Sequence, residues 1–225
     1  MIHTTAVATG GRFALGLQLP SDYPGHHAMT TLLFDLFGVI ACLQSEAGRA
    51  RIEGIAGVEP HALWHAYWWQ RQDYDRGDID GPVYWRRVAG QLATEFTPEC
   101  IADLVEADVL SWSAVDSDMV ALVGELAADG RHLGLLSNIP PEHAAAFEPR
   151  NPWLQMFPMR AFSCRIGHAK PEMGAYRHCI EALGVAAEDI LFIDDNGKNV
   201  AAAEELGLQG HVFTGKEPLL ARLMS

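Results

Sequence analysis

The chain has 225 residues, 49% of them apolar and 20% charged, which fits one generous globular domain or one domain carrying an insertion. Lys and Arg total 16 against 29 Asp and Glu, a formal charge of −13, so the chain has no broad electrostatic footprint for nucleic acid or an anionic membrane. No apolar run nears the roughly 20 residues of a bilayer span, and no secretory pattern opens the chain. Cys42, Cys100, Cys164 and Cys179 form no C-x-x-C pair. The expectation is a cytoplasmic protein with free thiols.

In chain order, residues 1–28 carry Gly10-Gly11, Pro24-Gly25 and His26-His27 without periodicity and are expected to form a flexible leader. Met29, just before the first strong strand, is an alternative natural start. Thr31 to Phe34 is a short apolar run ending at Asp35, as expected for a strand buried on both faces. Residues 45–110 read as mostly helical and are dense in aromatic residues: Trp64, Tyr67, Trp68, Trp69, Tyr74, Tyr84 and Trp85. These rings either form the core of a helical unit or line a pocket. Asp73 to Gly81 reads as a polar turn, with Gly77 and Gly81 suiting a mobile specificity loop.

An alternating rhythm returns after about residue 112. Met119, Leu122, Val123 and Leu126 have helical spacing, with Asp116 or Ser117 as N-cap and Gly130 as stop. His132–Leu136 reads as a strand, Arg160–Cys164 as a weaker one, and Asp189–Ile193 as a third. Helices follow over Tyr176 to Leu183 and from Asn196 to Gly207, and His211–Phe213 is a last short strand. Alternating strands and helices imply a parallel sheet with right-handed crossovers. In such sheets ligands bind beyond the carboxyl ends of the strands. Polar residues stand at those ends here: Asp35, Ser137-Asn138 and Asp194-Asp195.

Two adjacent carboxylates after an apolar strand repel unless a cation or proton intervenes. With Asp35 nearby, Asp194 and Asp195 would suit Mg2+, which takes hard oxygen ligands; the alternative is an acidic loop in solvent. Lys170, fixed by Pro171, either neutralises phosphate oxygens or is a surface lysine before a helix.

The four segments together, F-D-L-F-G-V at Asp35, Ser137-Asn138, Lys170-Pro171 and F-I-D-D-N at Asp194-Asp195, resemble the ordered motifs of the haloacid dehalogenase-like (HAD) hydrolase superfamily. Asp194-Asp195-Asn196-Gly197-Lys198-Asn199 is most similar to the branch containing sugar-1-phosphate phosphatases and the N-terminal domains of soluble epoxide hydrolases. The resemblance implies an α/β fold: a Rossmann-like parallel sheet with helices on both faces, formed by residues 29–44 and 111–225, and an inserted all-helical cap over 45–110. It implies Asp35 as nucleophile forming an aspartyl-phosphate, and Lys170 screening charge between nucleophile and phosphate. Ser137 and Asn138 are implied as phosphate hydrogen-bonding groups. Mg2+ is implied on Asp35, the Phe37 carbonyl, Asp195 and Asp194, with Asn199 supporting them from behind. The expected substrate is a small phosphorylated metabolite, a sugar phosphate among the candidates. No nucleic-acid or membrane partner is expected, and the protein should be a monomer or homodimer.

Phe37 departs from the pattern. Phosphatases of this superfamily usually carry a second Asp there as general acid and base, a service worth about 10²–10⁴-fold. Three readings follow: a phosphatase whose leaving group needs little help, or borrows a proton from His168, Asp73, Asp75 or Asp78; a metal-independent 2-haloacid dehalogenase; or a non-catalytic binding protein on this scaffold. The double Asp argues against the second, and retention of Asp35 and Lys170 against the third.

Overall fold

The computed structural model describes residues 30–224; the expected leader and Met29 lie outside the described residues. The chain opens with β1 (Thr31–Phe34) and then makes five helices, α1 (Glu46–Ala56), α2 (Pro60–Trp69), α3 (Arg71–Arg76), α4 (Gly81–Gln91) and α5 (Pro98–Ser111). It continues through α6 (Ser117–Ala128), β2 (Leu133–Ser137), α7 (Pro141–Phe147), β3 (Met159–Phe162), α8 (Ser163–Ile166) and α9 (Met173–Leu183). It ends with β4 (Ile190–Asp194), α10 (Gly197–Glu204), β5 (Gln209–Val212) and α11 (Lys216–Leu223).

The strands form one sheet in the order β3-β2-β1-β4-β5, and all four pairings are parallel. β1 is therefore central, and connections leave to both sides of it. That order reversal opens a crevice at the carboxyl ends of the strands. Successive side chains of β1 point to opposite faces. Leu32 and Phe34 join Met119, Leu122, Val123 and Leu219 on one side, while Leu33 joins Tyr176, Cys179 and Leu183 on the other. Burial on both faces explains why the strands read as continuous apolar runs.

The helices start and stop where local chemistry directs. Asp116 caps α6 by accepting from the N–H groups of Asp118 and Met119, Asn196 caps α10 by accepting from Lys198 N–H, and Gly184 closes α9 in the left-handed region. Several boundaries differ from the sequence expectation. The polar segment after Asp73 is largely helical: α3 runs to Arg76, held by the i, i+4 pair of Arg71 Nε and Asp75 at 2.9 Å, and only the stretch after Gly77 turns. β3 ends at Phe162 because Ser163 leaves the ladder for α8, its hydroxyl accepting from Ile139 N–H at 2.8 Å. β2 and β4 each run one residue further, so Ser137 and Asp194 are the last residues of their strands.

Helices α1–α5 bury their own apolar cluster, centred on Ile52, Leu63, Tyr67, Tyr84, Trp85 and Leu104 and separate from the two clusters flanking the sheet. The two readings of the aromatic residues thus divide ring by ring. Trp64, Tyr67, Tyr74, Tyr84 and Trp85 are buried, whereas Trp68 is 54% and Trp69 73% exposed.

The insertion is tied to the sheet domain by polar contacts. Arg76 Nη1 and Gln72 Nε2 each donate to Glu172 Oε1 at 3.0 Å, and Gly81 N–H donates to Glu142 at 2.7 Å. A Cβ on Gly77 would lie 2.7 Å from the Cys164 carbonyl. The Gly77–Gly81 turn, expected to be mobile, is thus held at both ends. Beneath it, buried Asp108 accepts from Tyr67 Oη at 2.7 Å and Arg71 Nη1 at 3.1 Å, and lies 3.6 Å from His143 Nε2. Burial alone would raise the Asp108 carboxyl, but His143, Arg71 and the Tyr67 hydroxyl hold it down at about 2. Among the described residues, no helix is long and apolar enough to cross a membrane.

Candidate active site

β1 and β4 pair in register from Thr31↔Ile190 to Phe34↔Ile193, and Asp35 N–H donates to Ile193 O at 2.8 Å. Two hydrogen-bonded neighbours therefore place Asp35 beside Asp194. Lys170 reaches between them, its Nζ 2.6 Å from Asp35 Oδ1 and 2.8 Å from Asp194 Oδ2. Asp195 completes the group: oxygens of Asp35, Asp194 and Asp195 lie within 4.8 Å of one another. Asp194 is fully buried and Asp35 and Lys170 nearly so, while Asp195 is exposed.

The close approach of Asp195 depends on one glycine. Ile40 and Ala41 N–H both return to Leu36 O, and Gly38 N–H donates to Ala41 O at 2.7 Å, so residues 36–41 form a tight turn. Gly38 sits in it at φ +87°, and a Cβ there would lie 2.3 Å from Asp195 Oδ2. Only glycine meets both demands.

One ammonium serves three carboxylates, and the electrostatics reflect the shortfall. Burial pushes the Asp35 carboxyl from its ordinary 3.8 up to about 8, and Asp194 adds to the rise, although Lys170 and the Leu36 N–H pull it back. Asp195 is raised by burial and by Asp194. Burial would lower the Lys170 ammonium, but Asp35 and Asp194 outweigh it and hold it above the ordinary lysine range. A dication would remove the uncompensated negative charge, and hard oxygen donors in this number suit Mg2+; the residues present fit the ion. Asp35 and exposed Asp195 would be its direct ligands on this donor set. Asp194 is the least free of the three, since it already accepts from Lys170, from Asn196 N–H at 2.7 Å and from Asn199 Nδ2 at 3.1 and 3.2 Å.

The other sequence-derived residues also lie at this edge. Ser137 ends β2, fully buried. The Asn138 side chain is engaged with the Lys170 main chain, its Oδ1 accepting from Lys170 N–H at 2.7 Å and its Nδ2 donating to Lys170 O at 2.8 Å. That two-point grip, which fixes the loop bearing the amine, is not readable from residue order. Asn199 stands behind Asp194 on α10. Phe37 follows Asp35 in the turn, and its half-buried ring meets Trp112 and Phe147 edge-on at 5.2 and 5.7 Å.

The side chains considered as substitutes for the acid at Phe37 are engaged elsewhere. Asp73 and Asp78 pair with Arg76, and Asp73 also with Arg87; Asp75 pairs with Arg71. His168 lies 3.5 Å from Glu172 on the surface. Gly38 and the Asn138 grip are the functional features sequence reasoning missed. The glycine three residues past Asp35 was the available signal for the first.

Comparisons with known proteins agree with this geometry. The chain is 30% identical over 96 residues to a sesquiterpene phosphatase of Aspergillus oryzae, covering 42% of this chain and 48% of that protein. It is 31% identical over 61 residues to a drimenol cyclase of Aspergillus calidoustus, covering 27% of this chain and 12% of the cyclase. The matched stretches thus span half or less of these curated relatives. A HAD family enzyme from Bacteroides thetaiotaomicron, solved with magnesium and inorganic phosphate, superposes with TM-score 0.63 at 19% identity over 84% of this chain and 96% of that one. An L-2-haloacid dehalogenase from Xanthobacter autotrophicus gives TM-score 0.62 at 20% identity over 87% and 82%. The sequence model of the haloacid dehalogenase-like hydrolases matches residues 29–207, from β1 past the paired aspartates, and this hydrolase chain belongs to that family.

Proposed function

We propose that the chain is a Mg2+-dependent phosphatase acting on a small phosphorylated metabolite through an aspartyl-phosphate. The observation that carries this reading is the placement of Lys170 Nζ between Asp35 and Asp194, with Asp195 at their edge. A carboxylate nucleophile splits one difficult displacement into two easier ones. Asp35 attacks phosphorus in line, the ester oxygen leaves with the electron pair of its P–O bond and takes a proton from water, and a water molecule then hydrolyses the acyl phosphate to release inorganic phosphate and regenerate Asp35. Lys170 favours the ionised nucleophile against the upward push of burial and offers positive charge to the phosphoryl oxygens, so positioning and electrostatics do most of the catalysis. Ser137, at the end of β2, would donate its hydroxyl to the same oxygens, and Asn138 steadies the amine through its main chain. Bound Mg2+ would supply charge neutralisation to Asp35, Asp195 and the phosphoryl group.

Similarity to a phosphatase supports ester hydrolysis, and three convergent carboxylates favour it over metal-independent dehalogenation, which needs no such cluster. The test is release of phosphate from acetyl phosphate and p-nitrophenyl phosphate with Mg2+ or EDTA. The expected result is Mg2+-dependent turnover that Asp35→Asn abolishes. Chloride release from 2-chloropropionate in EDTA, or silence toward all three compounds, refutes the reading.

A further inference from the structure

Where the resemblance leads one to expect an acid, the chain presents a hydrocarbon wall. The Phe37 ring meets Trp112 and Phe147 edge-on. Together with Val109 and Ala146 these rings bound a recess of about 20 Å³, room for about one water molecule. Ser113, His143, Arg150 and Asn151 also line it; the Ser113 hydroxyl donates to Leu110 O at 2.7 Å, and the Asn151 amide donates to Phe147 O at 2.8 Å and accepts from Trp153 Nε1 at 2.9 Å. The wall continues outward. Trp112 packs edge-to-face on Trp68 at 6.3 Å. Trp68 and Trp69 stand on the rim of an open groove of about 700 Å³, which Trp64 also lines.

Two tryptophans more than half exposed on neighbouring positions form an apolar patch of the kind that marks a binding surface. Its continuity with the candidate active site says what it binds. Phe37 follows Asp35 by two residues in the same tight turn, so its ring is within reach of a molecule held by its phosphate at Lys170 and Asp35. From there Trp112 and Trp68 follow at successive ring contacts.

We propose that the site takes phosphate monoesters of long apolar alcohols, with the hydrocarbon chain laid along Phe37, Trp112 and Trp68 into the groove beside Trp69. This deepens the phosphatase reading and rests on it. Such a substrate explains an exposed aromatic rim on a strongly acidic chain, because apolar contact binds a tail without needing basic residues.

The test compares butyl, octyl and dodecyl phosphate, below their micellar concentrations, with glucose 1-phosphate and acetyl phosphate, using the full chain and Mg2+. Each buried methylene contributes a few-fold, so kcat/KM is expected to rise about 30-fold or more from butyl to dodecyl phosphate. Trp68→Ser, at an exposed position, should fold normally by circular dichroism and collapse the dodecyl-to-butyl ratio about tenfold. Equal kcat/KM along the series, or a preference for glucose 1-phosphate, overturns the proposal. So does a dimer that dissolves in Trp68→Ser while the ratio survives, since the groove then belongs to a second copy of the chain. If acetyl phosphate is also inert, the phosphatase reading fails separately. Calorimetry of dodecylphosphonate against butylphosphonate then decides the tail site: affinity that rises with chain length and falls back in Trp68→Ser upholds it, and equal affinity overturns it.

Discussion

Replacing the nucleophile by its neutral isostere should stabilise the metal-free protein while abolishing its activity. The Asp35 carboxyl is held near 8, against an ordinary value of 3.8. Between those values the folded chain keeps a proton that the unfolded chain has released. Stability therefore falls as pH rises through this window, by about 1.4 kcal/mol per pH unit for this one group, and levels off above pH 8. Asparagine has no such proton, so in Asp35→Asn that slope disappears. The two proteins should be nearly equal in stability near pH 4–5, and the variant should lead by a margin that widens at each step to pH 8. Titrating groups remote from Asp35, Asp108 included, cancel in the difference. Urea unfolding in EDTA at several pH values measures it. Adding Mg2+ should lift the wild type most at pH 8, where the ion replaces the proton, and the variant much less. Parallel stability curves across pH 5–8, or equal Mg2+ stabilisation of both proteins, would refute the claim that the buried carboxylates are short of positive charge.

Three further outcomes follow from the geometry. Lys170→Met, which removes the amine 2.6 Å from Asp35, should lower kcat about 10²–10³-fold on acetyl phosphate, the loss typical of one preorganised charge-stabilising donor. Gly38→Ala drives a Cβ to 2.3 Å from Asp195 Oδ2 in a left-handed backbone; a Mg2+ titration of activity should show affinity weakened about 10–100-fold with the helical content unchanged. Asp108→Asn leaves the buried Arg71 charge with Asp75 as its one remaining carboxylate partner and should cost about 1–3 kcal/mol in urea unfolding at pH 7. Because Asp108 is depressed to about 2, its contribution is present above the ordinary aspartate range and is lost as pH falls through 2, so wild type and variant should converge in acid.

The legible parts of the fold were those with one-dimensional causes. Apolar runs such as Ile190–Ile193 are uninterrupted because the strands are buried on both faces, and Asp35, Ser137 and Asp194 stand out because each breaks such a run. Caps at Asp116 and Asn196 carry their signal within three residues. The illegible parts depend on partners distant in the chain. Asp75 reads as part of a polar turn; it lies in α3, half-buried against Arg71, which is itself buried because Asp108 and Tyr67 receive it from other helices. Asn138 reads as a phosphate ligand, and its grip on Lys170 exists only because the β2 and β3 ends bring residues 32 apart into contact. The rings at 64–85 share one composition, yet facing inward or outward separates Tyr67 from Trp68, and helical spacing alone does not orient a helix whose apolar residues nearly encircle it.

The inserted helices stabilise themselves around their own interior, apart from both faces of the sheet. Substitutions that reshape the groove at Trp68 and Trp69 therefore leave the strand-end carboxylates undisturbed, and the reverse holds as well. On the proposed reading, reactivity at Asp35 and selectivity at α2 would be under separate mutational control, so variation in α2 would change substrate choice with the chemistry at Asp35 intact.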